Sequence, residues 1–379
     1  MTNQRARPPS ANEIEVSILG PGFGECVLAH VGAGRWIIVD SCVESATGRS
    51  AALSYLSEIG VPASAVELII ATHWHDDHVR GMSSLVEACD SAQFCCSAAL
   101  QRKEFLALAT LYSRAPVSLP SGPMELRGAF STVIKRKGTA SYRPMRWAQC
   151  DMLLLNATVA LGDQSLSLRI TALSPSDEML TRAFAELARA LEACKISERL
   201  TLLTPGHPNH VAVAMRLDVG DRRILLGSDL EETGDPLIGW SAVLSSAGLP
   251  QGMASVHKVA HHGSVSGHCD RVWSDMLEKN PLSLLTPFRW GRHHLPNAAD
   301  RARILELTQR AFISAHPERD ISPKKRLPKV ERFINATAKR RWLAAGPLGH
   351  IRWRAPLVDP NHPGTIELFH EAMDLAEVA

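Results

Sequence analysis

The hexapeptide His73-Trp74-His75-Asp76-Asp77-His78 constrains this chain more than any other feature. It places three histidines and two aspartates directly behind Val66 to Ala71, a short apolar run that reads as a buried strand. In an extended segment, His73, His75 and Asp77 fall at i, i+2 and i+4 and project to one side, while His78 breaks the alternation. One loop can then serve two adjacent metal ions, with two imidazoles for the first and a carboxylate plus an imidazole for the second. Imidazole with carboxylate suits zinc, and also manganese or iron. Gly81 lets the chain turn into a following helix, expected over Val79 to Cys89.

Around this cluster, strand and helix patterns recur together, which argues a layered α/β fold. Short β-rich runs at Ile14–Leu19, Cys26–Val31 and Trp36–Asp40 are separated by glycine turns, and a helix is expected over Arg49–Ile59. The polar, proline-containing start, residues 1–12, reads as a loose tail. Residues 97–154 read as a basic insertion bordering the mouth of the site, with a helix over Gln101–Tyr112 and a loop over Pro116–Pro123. Further strands are expected at Thr158–Leu161, Ser165–Leu173 and Val256–Ala260, and a β-hairpin at Val211–Val219 and Arg222–Gly227. A strand at Leu282–Thr286 and a closing hairpin at Gly349–Arg354 and Thr365–Phe369 complete the pattern. Helices are expected from Asp177 to about Cys194, and at Trp240–Ala247, Arg271–Lys279 and Ala298–Phe312. Residues 13–379 are expected to form a single domain.

Composition narrows the class. A chain of 379 residues, 45% hydrophobic, can bury a large core. A net charge of +2 gives neither a disordered tail nor a strongly basic nucleic-acid binder. No apolar run is long enough to span a bilayer. The eight cysteines form no C-x-x-C pair, and without an export signal they read as reduced thiols of a cytoplasmic protein.

The stretch Thr72 to His78 resembles the H-x-H-x-D-H signature of the metallo-β-lactamase superfamily. That resemblance implies an αββα sandwich, two mixed sheets flanked by helices, with a dinuclear site at one edge. It implies His73, His75, Asp77 and His78 as ligands, Asp229 as the carboxylate bridging two divalent ions, and His261 as the last histidine ligand. Asp40, closing an early strand, would orient a ligand histidine. Thr204-Pro205-Gly206-His207-Pro208-Asn209-His210 resembles a further ligand segment of the family, one residue short. His207 is the expected ligand and His210 its competitor. Within the superfamily, the glycine turn before Glu25, the segment Gly227 to Glu231 and His261-His262-Gly263-Ser264 look like the lactamase-like domain of ComEC-type DNA-uptake proteins.

The function implied is that of a metal-dependent hydrolase using zinc, or alternatively manganese, to lower the pKa of bound water. Asp77 would also accept a proton from that water, and His262 would either donate one to the leaving group or simply fix its loop. The expected reaction is phosphodiester hydrolysis on DNA, RNA or a nucleotide. Its rivals are hydrolysis of a small ester, thioester or lactone, and a non-catalytic, metal-stabilised module in a larger protein complex. The basic runs Lys324-Lys325-Arg326 and Lys339-Arg340-Arg341 would track a phosphate backbone or lie on a solvated face. His293 and His294 fall where related sequences place a loop near the site.

Overall fold

The structure is a computed structural model that describes residues 4–20, 24–44, 47–101, 105, 107, 122–197, 208–318, 329–330, 337 and 348–378. In chain order the strands are β1 (Glu13–Gly20), β2 (Cys26–His30), β3 (Trp36–Val39), β4 (Val66–Ala71), β5 (Gln93–Ser97) and β6 (Arg146–Ala148). Next come β7 (Leu153–Leu161), β8 (Gln164–Ala172), β9 (Met215–Val219), β10 (Arg222–Leu226), β11 (Ala254–Lys258) and β12 (Leu277–Leu285). The last six are β13 (Phe288–Trp290), β14 (His293–Leu295), β15 (Ala311–Ile313), β16 (Gly349–Pro356), β17 (Thr365–Phe369) and β18 (Met373–Asp374).

Two mixed eight-stranded sheets result, ordered β17-β16-β1-β2-β3-β4-β5-β6 and β18-β15-β12-β11-β10-β9-β8-β7. Each changes from antiparallel to parallel pairing near its centre, between β3 and β4 in the first and between β10 and β11 in the second. Strand alternation explains how both faces are buried. Ile14, Val16 and Ile18 of β1 point into a core shared with Leu168, Ile224, Val256 and Leu284 of the second sheet. Leu19, Leu28, Trp36 and Ile38 point the other way, onto Ala52, Tyr55 and Leu56 of the helix Ala51–Glu58. Leu225 likewise faces Trp240 and Val243 of the helix Gly239–Ser245. The layering is therefore helices, sheet, sheet, helices, the fold class expected from the sequence.

Several expected boundaries differ. The helix expected over Arg271–Lys279 stops at Asp275, and β12 begins at Leu277. The helix from Ala298 ends at Leu307, because Thr308 is extended and its hydroxyl donates to the Pro281 carbonyl at 2.7 Å. Within the stretch read as an insertion, Arg146–Ala148 is a strand of the first sheet, pairing in parallel with β5. Gly122–Lys135, partly read as loop, is a helix. Proline fits the first turn of a helix, where its missing N–H has no partner to lose, so Pro123 was a poor breaker. The N-terminal residues read as a tail make a short 3-10 turn at Gln4–Ala6, and the Arg352 guanidinium donates to the Gln4 and Arg5 carbonyls at 2.8 and 2.9 Å. Most of the helix expected over Gln101–Tyr112, together with His207 and both basic runs, lies outside the described residues.

Candidate metal centre

The carboxyl ends of β3, β4, β10 and β11 meet at one edge of the sandwich, where parallel strands of an α/β sheet commonly leave a crevice. β3 delivers Asp40, β4 delivers Thr72 to His78, β10 delivers Ser228 and Asp229, and β11 delivers His261 and His262. The backbone there is unusual. Asp40, Ser228, His261 and His262 are four of the eight non-glycine residues with positive φ among the described residues. Such conformations persist only where surrounding contacts enforce them, and they concentrate at functional sites.

Those contacts start at Asp40. Its Oδ1 accepts from the Thr72 backbone N–H and its Oδ2 from the Thr72 hydroxyl, both at 2.8 Å. The same Oδ2 lies 2.7 Å from Nδ1 of His78. A hydrogen bond at Nδ1 fixes the tautomer and turns Nε2 toward the centre. There His78 Nε2 stands 3.2 Å from Asp229 Oδ2 and 3.6 Å from Asp77 Oδ2. On the opposite side, His262 Nε2 stands 3.3 Å from Asp77 Oδ2 and 3.4 Å from Asp229 Oδ2, while its Nδ1 lies 3.2 Å from the Thr286 carbonyl. Nδ1 of His73 faces the Thr72 hydroxyl at 3.0 Å, and its Nε2 lies 3.1 Å from Nδ1 of His75.

Three donor groups emerge, one of them Glu25, Asp40 and His78, and the other two meeting at Asp229. In Asp77, His78, Asp229 and His262, one ligand atom from each residue lies within 4.8 Å of every other, and the same holds for His73, His75 and Asp229. The residues present fit divalent ions on a structural observation: His78 Nε2, His262 Nε2 and Asp229 Oδ1 are buried with no hydrogen-bond partner among the described residues. Buried polar atoms left so are costly unless something else engages them. Nitrogen and carboxylate donors, with no cysteine, suit zinc or manganese.

Electrostatics of the bare protein agree. Burial disfavours the charged form of His78, yet Asp229, Asp77 and Asp40 outweigh it and lift its pKa well above the usual histidine range. His262 is likewise pushed up to about 9, against burial, chiefly by Asp229. Asp77 and Asp229 run the other way: burial would raise them, but the neighbouring imidazoles hold both below the usual carboxylate range. Two protonated imidazoles thus occupy the electrostatic role that cations would take.

The histidine pair after β11 requires a correction. The resemblance named His261 as the ligand and gave His262 a proton-donor or loop-fixing role. The structure puts His262 among the donors, 1% exposed, and turns His261 outward. There His261 Nδ1 meets Glu231 Oε1 at 3.1 Å and the Ser266 hydroxyl at 2.8 Å, and the Asn209 side-chain amide donates to its Nε2 at 3.0 Å. Consecutive left-handed residues, with φ of 45° and 52°, decide which imidazole faces inward. Nδ1 of His262 lies on Thr286, and its Nε2 faces Asp77 and Asp229. His210, the competitor of His207, lies 3.2 Å from Glu231 Oε2 and is in none of the donor groups.

Three residues without a role in the sequence-based expectation, Lys258, Glu25 and Thr286, hold the site from behind. Lys258 is buried, with Nζ 2.7 Å from Glu25 Oε1, 3.0 Å from the Ser228 carbonyl and 3.8 Å from Asp229 Oδ1. The other Glu25 oxygen accepts from the Thr286 hydroxyl, which also lies 3.1 Å from His262 Nδ1. A lysine inside the apolar strand Val256-His257-Lys258-Val259 was the available signal, because a buried charge demands a partner. Trp74 anchors the motif from the helix side. Its ring packs 5.7 Å from Phe105, and a side chain at Gly122 would meet the Trp74 carbonyl oxygen at 2.0 Å.

No curated protein matches the chain. The metallo-beta-lactamase fold protein YhfI from Bacillus subtilis is 16% identical over 59% of this chain and 64% of its own, with a TM-score of 0.31. A motif mutant of a metallo-beta-lactamase from Cronobacter sakazakii is 17% identical over 65% of this chain and 77% of its own, with a TM-score of 0.32. Residues 19–144, which carry Asp40 and the whole of His73 to His78, match the family model of the metallo-beta-lactamase superfamily, and the two mixed sheets flanked by helices are consistent with that fold.

Proposed function

We propose that this chain is a metal-dependent phosphodiesterase acting on nucleic acid or a nucleotide. The observation that carries the hydrolytic part is the pair of donor groups that share Asp229, whose carboxylate would hold ions bound in either group. Divalent ions held there supply Lewis-acid polarisation of a phosphoryl oxygen and a lowered pKa for water. The chain's own residues supply placement. Asp40 and Thr286 fix the tautomers of His78 and His262 so that both Nε2 atoms face inward. Asp77, held below the usual carboxylate range by the neighbouring imidazoles, stays ionised and would serve as a ligand carboxylate. Lys258 sets the position of Asp229 through the Ser228 carbonyl. No G-x-S-x-G elbow is present in the sequence, so no serine nucleophile is invoked.

The phosphodiester preference has two supports. One is the likeness of His261-His262-Gly263-Ser264 and the glycine turn before Glu25 to ComEC-type domains. The other is the polar rim, where His75, Glu231 and His261 are partly exposed. Zinc is the preferred ion and manganese the alternative. The test is incubation of the purified protein, with Zn²⁺ or Mn²⁺, with single- and double-stranded DNA, RNA and a chromogenic phosphodiester, alongside Asp229→Ala. Cleavage by the wild type and its loss in the variant support the reading. Intact nucleic acids together with hydrolysis of a lactone or thioester would replace it with the small-substrate alternative.

A further inference from the structure

His262 faces the metal centre because the chain between Ala260 and Ser264 takes an uncommon path. His261, His262 and Gly263 are left-handed in succession, at φ of 45°, 52° and 81°. A residue with a Cβ is disfavoured there, so two in a row need a hold from outside the turn. The entry to the turn has one: the His261 backbone N–H donates to the Ser228 carbonyl at 2.9 Å. The exit has another, since Nη2 of Arg303 donates to the Gly263 carbonyl at 2.6 Å. Arg303 belongs to the helix Ala298–Leu307, and its Nη1 donates to Asp300 Oδ1 at 2.9 Å. Asp300 is buried and closes the capping box of that helix: its backbone N–H donates to Asn297 Oδ1 at 3.0 Å, and its Oδ2 accepts from the Asn297 N–H at 3.1 Å. The same helix presses Ile304 on the turn, so that a Cβ at Gly263 would lie 2.8 Å from Ile304 Cδ1.

The guanidinium is thus fixed on one side by a buried carboxylate and turns its other arm to a single backbone oxygen, one residue past a metal-ligand imidazole. Hydrogen bonds from a charged donor are the strong ones. Its Nε is buried with no partner among the described residues, so the two Nη contacts set its orientation. We propose that Arg303 is a positioning residue for the metal centre: by holding the Gly263 carbonyl it keeps His262, rather than His261, turned toward Asp77 and Asp229. Releasing that oxygen frees the backbone at Gly263, and the turn then samples paths in which His262 Nε2 points elsewhere. Apparent affinity for an ion falls in proportion to the population of the competent arrangement. The loss is confined to the donor group that contains His262, because His73 and His75 leave β4 and do not depend on the turn. Arg303 has this role whatever the substrate.

The test titrates the full-length, metal-stripped protein with Zn²⁺ in competition with a chromogenic chelator, and with Co²⁺ followed by its visible absorption. Arg303→Met keeps the packing of the stem and removes every donor. It should weaken one bound ion by about 10- to 100-fold, the range expected when the partners that orient metal ligands are lost, and it should alter the cobalt spectrum. Arg303→Lys, whose ammonium can still donate to the Gly263 carbonyl, should recover most of both. In a His262→Ala background, Arg303→Met should cause no further loss, because the arginine acts through that imidazole. Wild-type affinity in Arg303→Met, or losses that multiply in the double variant, would overturn the role. So would equal weakening of every bound ion, the sign of a general loss of fold. Should Arg303→Met fail to fold by far-ultraviolet circular dichroism, Asp300→Asn retains a capping side chain and removes the charge that holds the guanidinium. It should weaken the same ion, and wild-type affinity there would equally overturn the role. A His262→Ala protein that binds metal at full strength would remove the ligand and the role with it. Metal binding as described, in a protein that cleaves no phosphodiester, would sink the function proposed above and leave the role of Arg303 standing.

Discussion

Lys258→Met isolates the charge that holds the centre from behind. Methionine keeps the length of the side chain and removes only the ammonium. In the wild type, burial pulls the Lys258 pKa down, but Glu25 and Asp229 outweigh it and leave it above the ordinary lysine value, so the charged form is net favoured. The lysine and Glu25 side chains are only 1% and 2% exposed, so solvent cannot screen what the substitution leaves behind. Removing one partner of a buried pair costs about 3–5 kcal/mol, most of it the penalty on the orphaned carboxylate. A chain of this length unfolds with an entropy of about 0.8 kcal/mol per kelvin. The melting temperature of chelator-treated Lys258→Met should therefore fall by roughly 4–6 °C relative to treated wild type. Glu25→Gln combined with Lys258→Met should regain much of that loss, because no unpaired charge remains at Glu25. With zinc added the deficit should narrow, since Asp229 then has another cation. Differential scanning calorimetry reads all three. A treated Lys258→Met protein that melts within 1 °C of wild type, a shift of about 1 kcal/mol or less, would show that the pair does not hold the site.

Two further outcomes rest on the same geometry. His262→Ala should lower the metal content of protein purified without chelator and saturated with zinc, whereas His261→Ala should leave the stoichiometry intact; elemental analysis giving the reverse would restore the assignment made from the resemblance. In metal-stripped protein, the folded pKa of His78 is raised well above 6.5 and that of His262 to about 9. Groups raised on folding stabilise below their unfolded pKa and lose that contribution as pH climbs through the folded value. Stripped protein should therefore become easier to unfold in urea between pH 6.5 and about 9, and metal-loaded protein should show little of this slope; equal slopes would refute the assignment of protonated imidazoles.

What the sequence made legible was whatever sat next to an unambiguous strand. Val66–Ala71 is apolar throughout except for Glu67, so the residues leaving its end were readable as a cluster, and Asp40 and Asp229 close similarly apolar runs. The His261–His262 choice was not legible. In regular extended backbone the first residue after Ala260 would be as good a candidate as the second, and the left-handed turn that exchanges them is imposed by tertiary contacts. Gly263, at φ 81° and against Ile304 and Leu285, belongs to the same turn, yet a glycine marks a turn without saying which neighbour faces inward. Lys258 and Glu25 were passed over because each is charged inside an apolar pattern, and their pairing joins positions 233 residues apart. The helix ends at Asp275 and Leu307 fail for a different reason. Each is followed within four residues by a strand, and apolar residues on both sides of the junction continue the helical pattern.

The donors divide between the two sheets. His73, His75, Asp77 and His78 follow β4 of the first, and Asp229 and His262 follow β10 and β11 of the second. In the first sheet β1 pairs with β16 along its whole length, while β18 pairs with β15 at the edge of the second. An ion gripped by both sheets works like a rivet through two plates. With such an ion bound, the sandwich would not part along its apolar seam until the rivet was drawn, and the lifetime of the folded protein, as distinct from its equilibrium stability, would be tied to the rate of metal release. A chelator that strips metal slowly should then set the pace of unfolding in denaturant, and chelators of equal affinity but different stripping speed should give different half-lives for the same final state.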